Sequence, residues 1–113
     1  MQQRDIGILE HIVDYCEDIQ DSLELIERSH DRFILDKQSQ YAIAFSILQI
    51  GELVGKLSDE LKASTRESID WTAVKGMRNI IVHDYGEVRL DVVWNTATGD
   101  IPSLKAFCEK YLN

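Results

Sequence analysis

The chain has 113 residues, of which 44% are hydrophobic and 28% charged, so residues 1–113 are expected to form one globular domain rather than a disordered or fibrous chain. Its net charge of -8 argues against general nucleic-acid binding, because phosphate contacts normally come with a basic surface. RNA would therefore have to meet a local basic site in an acidic body, and an acidic surface also fits a basic protein partner.

The two cysteines and the N-terminal residues predict the compartment. Cys16 and Cys108 each fall within an apolar helical pattern, so we predict buried, reduced thiols. The cysteines show no zinc-ligand spacing, and no metal or other cofactor is expected. The first residues carry no signal-peptide pattern, and no apolar run reaches membrane-spanning length. We therefore expect a cytoplasmic protein with no membrane contact.

The first half of the chain predicts two long helices. Apolar residues spaced by three and four indicate a helix over about residues 5–28, with an acidic opposite face. Residues 29–32 are expected to form a turn. A second helix over about residues 37–61 has an apolar surface wider than a single core face requires. We expect this helix to contact both the core and a second surface, such as another copy of the chain.

Two glycines four residues apart, Gly51 and Gly55, fall inside the second predicted helix. Glycine costs ~1 kcal/mol relative to alanine in a helix interior. The pair indicates either that another backbone comes close or that two glycines are simply tolerated. Glu52 lies between them on a mostly apolar helix. It is expected to be solvated, although it could pair with Arg78 across a dimer.

The second half of the chain continues the helical pattern. Residues 63–69 are predicted to form a loop or short turn, and Asp70 to cap a third helix that begins at Trp71 and runs to about His83. Gly86 is a plausible stop signal. A fourth helical region begins near Asp91. It should kink or break over residues 99–102, because proline removes a backbone hydrogen-bond donor there, and the helical pattern then resumes. The predicted fold is an all-α, up-down bundle of four to five helices.

The third predicted helix carries the residues with chemical potential. On a wheel of about 100° per residue, His83 lies opposite the apolar stripe and shares a face with Asn79, four residues earlier. An exposed surface histidine is the simpler alternative. Arg78 and His83 are five residues apart and cannot converge on one straight helix. They can converge if the helix distorts near His83, or if two copies face each other across a two-fold axis.

An arginine and a histidine at one site suit cleavage of an RNA phosphodiester. Histidine has a pKa near ~6.5, so it can take the proton of a ribose 2′-hydroxyl or give one to the leaving oxygen. Arginine binds phosphate bidentately and stabilises developing negative charge. Attack by a 2′-hydroxyl needs no metal and leaves a cyclic phosphate and a free 5′-hydroxyl.

The segment from Arg78 to Tyr85 resembles the R-x4-H-x-Y signature of HepT-like toxins in the HEPN superfamily. Surrounding residues also resemble that family and extend the likeness over nearly the whole chain; they are 49–53, 56–58, Trp71, 76–77, 93–94, 101–102 and Leu104. The resemblance implies a homodimeric helical bundle with the motif at the dimer interface.

The same resemblance implies a metal-independent endoribonuclease that acts as the toxin of a type II or type VII-like toxin–antitoxin pair. Arg78 and His83 would be catalytic, and Asn79 would support them. The usual partner is a minimal nucleotidyltransferase antitoxin, which can transfer AMP to the motif tyrosine, here Tyr85. Packing under the terminal turn is the alternative for Tyr85.

Two other functions fit the same residues. The fold also serves as a non-catalytic companion of nucleotidyltransferases, in which case Arg78 and His83 would bind a nucleotide or phosphate without breaking a bond. The net charge of -8 favours that alternative. A purely structural helical adaptor is the third possibility, in which the dimer surface itself is the function.

Overall fold

The computed structural model describes residues 2–81 and 89–113, and within these ranges the chain is helical without a β-strand. The prediction of an all-α fold is thus confirmed for the described residues. The elements in chain order are α1 (Gln3–Leu25), α2 (His30–Phe33), α3 (Lys37–Gly55), α4 (Asp59–Thr65), α5 (Trp71–Ile81), α6 (Leu90–Asn95), a π-helical turn (Thr96–Asp100) and α7 (Ile101–Leu112).

Helix α3 occupies a central place in the packing, because it contacts α1 along one side and α5 along another, while α1 also packs against α7. Apolar side chains that recur every three or four residues on α1 and α3 meet in the core, as helical periodicity requires. The side chains from these two helices that are fully removed from solvent are Leu9, Ile12, Cys16, Ile19, Leu23, Ile43, Ile47, Ile50 and Val54.

Both cysteines lie in this core as free thiols, which confirms the prediction of buried, reduced side chains. Burial raises the pKa of the Cys16 thiol to about 12, with a smaller contribution from nearby Cys108. Burial likewise raises the pKa of Cys108 to about 12. A thiol in such surroundings stays protonated and unreactive.

The predicted turn at residues 29–32 is wrong, because a short helix forms there. Glu27 and Arg28 adopt positive φ angles of 56° and 53°, which end the right-handed helix α1. Ser29 then caps α2, since its hydroxyl oxygen accepts a hydrogen bond from the backbone N–H of Arg32 at 3.2 Å. The cap converts a polar break into the start of a new helix.

The predicted second helix over residues 37–61 is two helices, α3 and α4. Ser58 caps α4, because its hydroxyl oxygen accepts a hydrogen bond from the N–H of Leu61 at 3.1 Å. The buried carboxylate of Asp5 accepts hydrogen bonds from the N–H of Ser58 at 2.9 Å and from its hydroxyl. This contact joins residues that are 53 positions apart in the chain and fixes the break between α3 and α4. Helix α4 also extends to Thr65, into the segment predicted as a loop.

The region around Pro102 distorts but does not break. The chain passes from α6 through the π-helical turn directly into α7, and Pro102 lies in the first turn of α7. Proline removes one backbone donor from this continuous helical run, and the π-helical turn directly before it is where the hydrogen-bond pattern changes. Of the predicted kink or break, the break does not occur, and a change of helix type lies at residues 96–100 instead.

No helix within residues 2–81 or 89–113 combines the length and the apolar character needed to cross a membrane.

Candidate active site

Two of the four predicted site residues lie on helix α5. Arg78 is described in full, and Asn79 follows it on the helix with its side chain outside the described part of the structure. His83 and Tyr85 lie outside the described residues, as does Gly86, the predicted stop signal. Within the described residues, the candidate site consists of Arg78 and the side chains around it.

The start of α5 is fixed by a cap and by a buried tryptophan. Asp70 accepts a hydrogen bond from the N–H of Ala73 at 3.1 Å, which confirms the predicted N-cap. The indole N–H of Trp71 donates to the hydroxyl oxygen of Thr65 at 2.8 Å, and its ring meets that of Phe107 edge to face, with centroids 5.6 Å apart. These contacts on two sides hold the helix that carries Arg78.

Gly51 lets α5 approach α3 closely at Arg78. A Cβ atom built on Gly51 would lie 3.0 Å from the Cβ of Arg78 and 3.4 Å from the backbone oxygen of Lys75. The first distance is shorter than an ordinary carbon contact of about 3.5–4.0 Å. Of the two interpretations of the glycine pair, close approach of another backbone is the correct one at Gly51, and that backbone belongs to the same chain.

Arg78 forms an ion pair with Glu52 of α3, and the Nη1 and Oε1 atoms are 2.6 Å apart. About half of each side chain is exposed, 50% for Arg78 and 47% for Glu52. The expectation that Glu52 is simply solvated is therefore wrong. The pair forms within one chain. Among the described residues, Glu52 engages one guanidinium nitrogen, and an arginine carries five N–H donors in all.

A second cation lies along the same helix contact. The Cε and Nζ atoms of Lys75 would lie 3.6 and 3.8 Å from a Cβ built on Gly55. The contacts Gly51–Arg78 and Gly55–Lys75 run in opposite chain directions, so α3 and α5 are antiparallel here. Lys75 and Arg78 are three residues apart, which places their Cβ atoms about 5–6 Å apart on neighbouring turns. The surface carrying Arg78, Lys75 and Glu52 is called the α3–α5 seam below.

Charge is distributed unevenly along the chain. Residues 1–55 contain 11 acidic and 4 basic side chains, whereas residues 56–89 contain six of each. The excess negative charge therefore belongs mainly to α1, which carries seven acidic side chains and one basic one, and the part of the chain that includes α5 is balanced. An acidic protein can in this way present a locally neutral surface to an anion.

Helix α3 presents an exposed stripe that ends at the ion pair. Tyr41 and Phe45 are 59% and 56% exposed. Leu48 and Glu52 follow at spacings of three and four residues, which places all four on one helix face. We call these four residues the outer stripe of α3. Such a run of large apolar side chains on a surface is typical of a contact with another protein.

A cavity of about 330 Å³ lies beside α5, on the side of α7, and does not include Arg78. Its apolar lining comes from Ile69, Val74, Met77, Leu104 and Phe107. Asp70 and Asp100 add negative charge, and the residues that line it include no basic side chain. This cavity does not suit phosphate, so the α3–α5 seam is the better candidate for an anion.

Residues 12–111 match the family model described as Ribonuclease HepT-like, and the chain therefore belongs to the HepT-like ribonuclease family. The match confirms the family indicated by the R-x4-H-x-Y motif. The chain is 36% identical over 102 residues to a Thermococcus cleftensis protein named "Probable ribonuclease HepT", which covers 86% of this chain and 92% of that protein.

Two further relatives carry similar names. A Methanocaldococcus jannaschii protein named as a "Putative RNase" is 32% identical over 113 residues, covering 99% of this chain and 91% of its own length. A Caldanaerobacter subterraneus protein with the same description is 31% identical over 97 residues, covering 86% of this chain and 84% of its own. No solved structure matches the chain significantly.

Sequence reasoning alone missed Lys75 and gave Glu52 the wrong environment. Gly51 supplied a usable signal, because a glycine inside an apolar helix indicates a close contact. The sequence did not reveal that Arg78 is the side chain on the other side of that contact. Glu52 and Arg78 are 26 residues apart, and a helical pattern relates only residues within about one turn.

Proposed function

We propose that the chain is a metal-independent endoribonuclease that cleaves RNA at a site shared by two copies of the chain. The observation that carries this proposal is the half-exposed guanidinium of Arg78, held at the α3–α5 seam in a member of a ribonuclease family. A guanidinium binds phosphate oxygens as a fork and stabilises negative charge that grows on them.

The proposed reaction is attack of a ribose 2′-hydroxyl on the adjacent phosphate. The imidazole of His83 takes the hydroxyl proton while the 2′-oxygen bonds to phosphorus. The bond from phosphorus to the 5′-oxygen breaks, and that oxygen accepts the proton that the imidazole received, giving a cyclic phosphate and a 5′-hydroxyl and restoring neutral histidine. The roles of His83 and of Asn79 as its support rest on the sequence motif.

A second copy of the chain would bring the two catalytic groups together. Arg78 and His83 project about 140° apart on a straight helix, so they do not reach one phosphate within a single chain. A two-fold axis lets Arg78 of one copy act with His83 of the partner subunit. The outer stripe of α3 supports this arrangement, because it offers exposed apolar residues, Tyr41 and Phe45, on the same face as Glu52.

Lys75 gives the site a second contact for the substrate backbone. Its ammonium group lies along α3 one turn from Arg78, where it can meet a phosphate next to the one held by the arginine. Two cations on a locally balanced surface answer the objection raised by the net charge of -8. Binding by such a small site should be weak and strongly dependent on salt.

We further propose that the enzyme is the toxin of a toxin–antitoxin pair whose antitoxin is a minimal nucleotidyltransferase. Transfer of AMP to Tyr85 would place a bulky anion two residues from His83 and repel the phosphate of RNA. Intact mass after co-expression with the proposed nucleotidyltransferase antitoxin should show added AMP, and Tyr85→Phe should abolish the addition. An unchanged mass of the wild-type chain would remove this mechanism while leaving the nuclease proposal intact.

The central test is cleavage of a fluorescent RNA by the purified, unmodified protein in a buffer that contains EDTA. Wild type should cleave and leave cyclic phosphate ends. Arg78→Ala and His83→Ala should abolish cleavage without changing the sedimentation coefficient. His11→Ala is the matched control, because His11 is an exposed histidine on α1, and it should cleave normally. Equal cleavage by wild type and His83→Ala would overturn the proposal.

The alternative function is binding of a nucleotide or phosphate without cleavage. The acidic composition and the carboxylate beside Arg78 favour it, because both weaken attraction of a long polyanion. Calorimetry with nucleotides, run beside the cleavage assay, separates the two functions. Binding that depends on Arg78, with intact RNA at every enzyme concentration, would establish the alternative.

A further inference from the structure

The Glu52–Arg78 pair contributes little to folding. Both side chains are half exposed, and the two charges lie on neighbouring helices at the surface. Ion pairs in such places stabilise proteins only slightly, since water screens them and two long side chains lose freedom. The two helices are already joined by the close contact at Gly51. The pair therefore matters more for where the guanidinium lies than for whether α5 packs.

The backbone and the tip of Arg78 are restrained separately. Gly51 holds the Cβ of Arg78 against α3, which fixes the base of the side chain. Glu52, the next residue on α3, then binds Nη1 at the tip. Without that carboxylate the long arginine side chain would sample several rotamers, each with the guanidinium in a different place.

We propose that Glu52 is a positioning residue that orients the Arg78 guanidinium toward the scissile phosphate. One guanidinium nitrogen binds the carboxylate, and the remaining N–H donors face the substrate. Catalysis by a phosphate-binding arginine depends on such preorganisation, because a donor that must first be ordered stabilises the transition state less. This inference rests on the proposed RNA cleavage.

Glu52 has an opposite effect on substrate binding. Its negative charge lies next to the place proposed for a phosphate, so it weakens attraction of RNA at low salt. A glutamate without a positioning role would only repel RNA, and its removal would raise kcat/KM. A positioning glutamate gives a different pattern, in which removal lowers kcat while KM stays equal or falls. The two steady-state constants thus separate the alternatives.

The experiment compares Glu52→Ala and Glu52→Gln with wild type, with Glu10→Ala as a control that removes an exposed glutamate from α1. We expect Glu52→Ala to lower kcat by about tenfold or more, within the range that loss of orientation produces. Glu52→Gln should recover most of kcat, because its amide oxygen still accepts from Nη1, and should lower KM. Glu10→Ala should leave kcat unchanged.

A kcat of Glu52→Ala equal to or above that of wild type would overturn the positioning role. A second measurement does not depend on cleavage. In ¹⁵N NMR spectra of the full protein, rotation of the Arg78 guanidinium should be slow in wild type and fast in Glu52→Ala, with Arg78→Lys assigning the signal. Equally fast rotation in wild type and Glu52→Ala would overturn the inference even if RNA is not cleaved. Absence of cleavage by wild type would instead count against the proposed function.

Discussion

Gly51 of α3 and Arg78 of α5 lie against each other so closely that a Cβ on the glycine would be 3.0 Å from the Cβ of the arginine. The contact ties a packing requirement to a proposed catalytic residue. A helix interior that lacks a side chain at this point allows the backbone of α5 to come near, and the position of Arg78 follows from that approach.

The two glycines of α3 offer a matched comparison. Gly51→Ala should cost roughly 1–3 kcal/mol of unfolding free energy through overpacking, offset by up to ~1 kcal/mol of helix propensity, and should reduce cleavage by shifting Arg78. Among the described residues, Gly55→Ala meets Lys75 atoms alone, at 3.6 and 3.8 Å, so stability should stay equal or rise slightly. Urea unfolding monitored by circular dichroism measures both. Equal stability of the two variants would contradict the close contact at Gly51.

Arg78→Lys tests whether the fork of the guanidinium matters beyond its charge. Lysine keeps a positive charge but cannot bind a phosphate bidentately. We expect kcat to fall roughly 10²–10³-fold, as for loss of one transition-state donor, with a smaller change in RNA affinity. Arg66→Lys, at an exposed arginine after α4, is the control and should behave like wild type. A fully active Arg78→Lys would show that charge alone is sufficient.

Lys75→Gln should change the salt dependence of binding more than the rate of cleavage. Loss of one phosphate contact makes the negative slope of log K against log salt shallower by about 0.7 for a single strand. Binding of a 2′-deoxy oligonucleotide, which cannot be cleaved by 2′-hydroxyl attack, gives the slope. Lys37→Gln removes the same charge at the far end of α3, about 27 Å from Gly55 along the helix. If both variants change the salt slope equally, Lys75 acts only through the net charge of the protein and not through a contact with phosphate.

Asp5 should be important for stability even though it lies near the N-terminus. Its side chain is buried and accepts two hydrogen bonds from Ser58, so Asp5→Ala leaves the cap of α4 without that partner. We expect a loss of about 1–3 kcal/mol in thermal or urea unfolding. Asp18→Ala removes an exposed carboxylate from the same helix and should change stability little.

The two thiols predict a loss of stability at alkaline pH. Burial raises the pKa of Cys16 and of Cys108 to about 12 in the folded chain, whereas the ordinary pKa of a cysteine thiol is 9.0. Above pH 9.0 the unfolded chain releases thiol protons that the folded chain retains, so unfolding becomes easier as pH rises toward 12. Cys16→Ala with Cys108→Ala should flatten this part of the stability profile. Reaction with a thiol reagent at pH 8 should follow unfolding and not precede it.

The sequence by itself determined the helical class and several local features. Apolar spacing of three and four marked the helices, Asp70 marked the start of α5, and the apolar surroundings of both cysteines predicted their burial. These features depend on neighbours within about one helical turn, which the sequence displays directly. The motif around Arg78 also indicated the family, because residue types at fixed spacing carry that information.

The tertiary structure alone decided the surroundings of Arg78 and the break between α3 and α4. Glu52 is its ion-pair partner and Gly51 its packing surface, although both are more than 25 residues away in the chain. The break before α4 likewise depends on Asp5, 53 residues from Ser58. Such contacts arise when separate helices pack, and no periodic pattern within one helix encodes which residue of another helix will lie opposite.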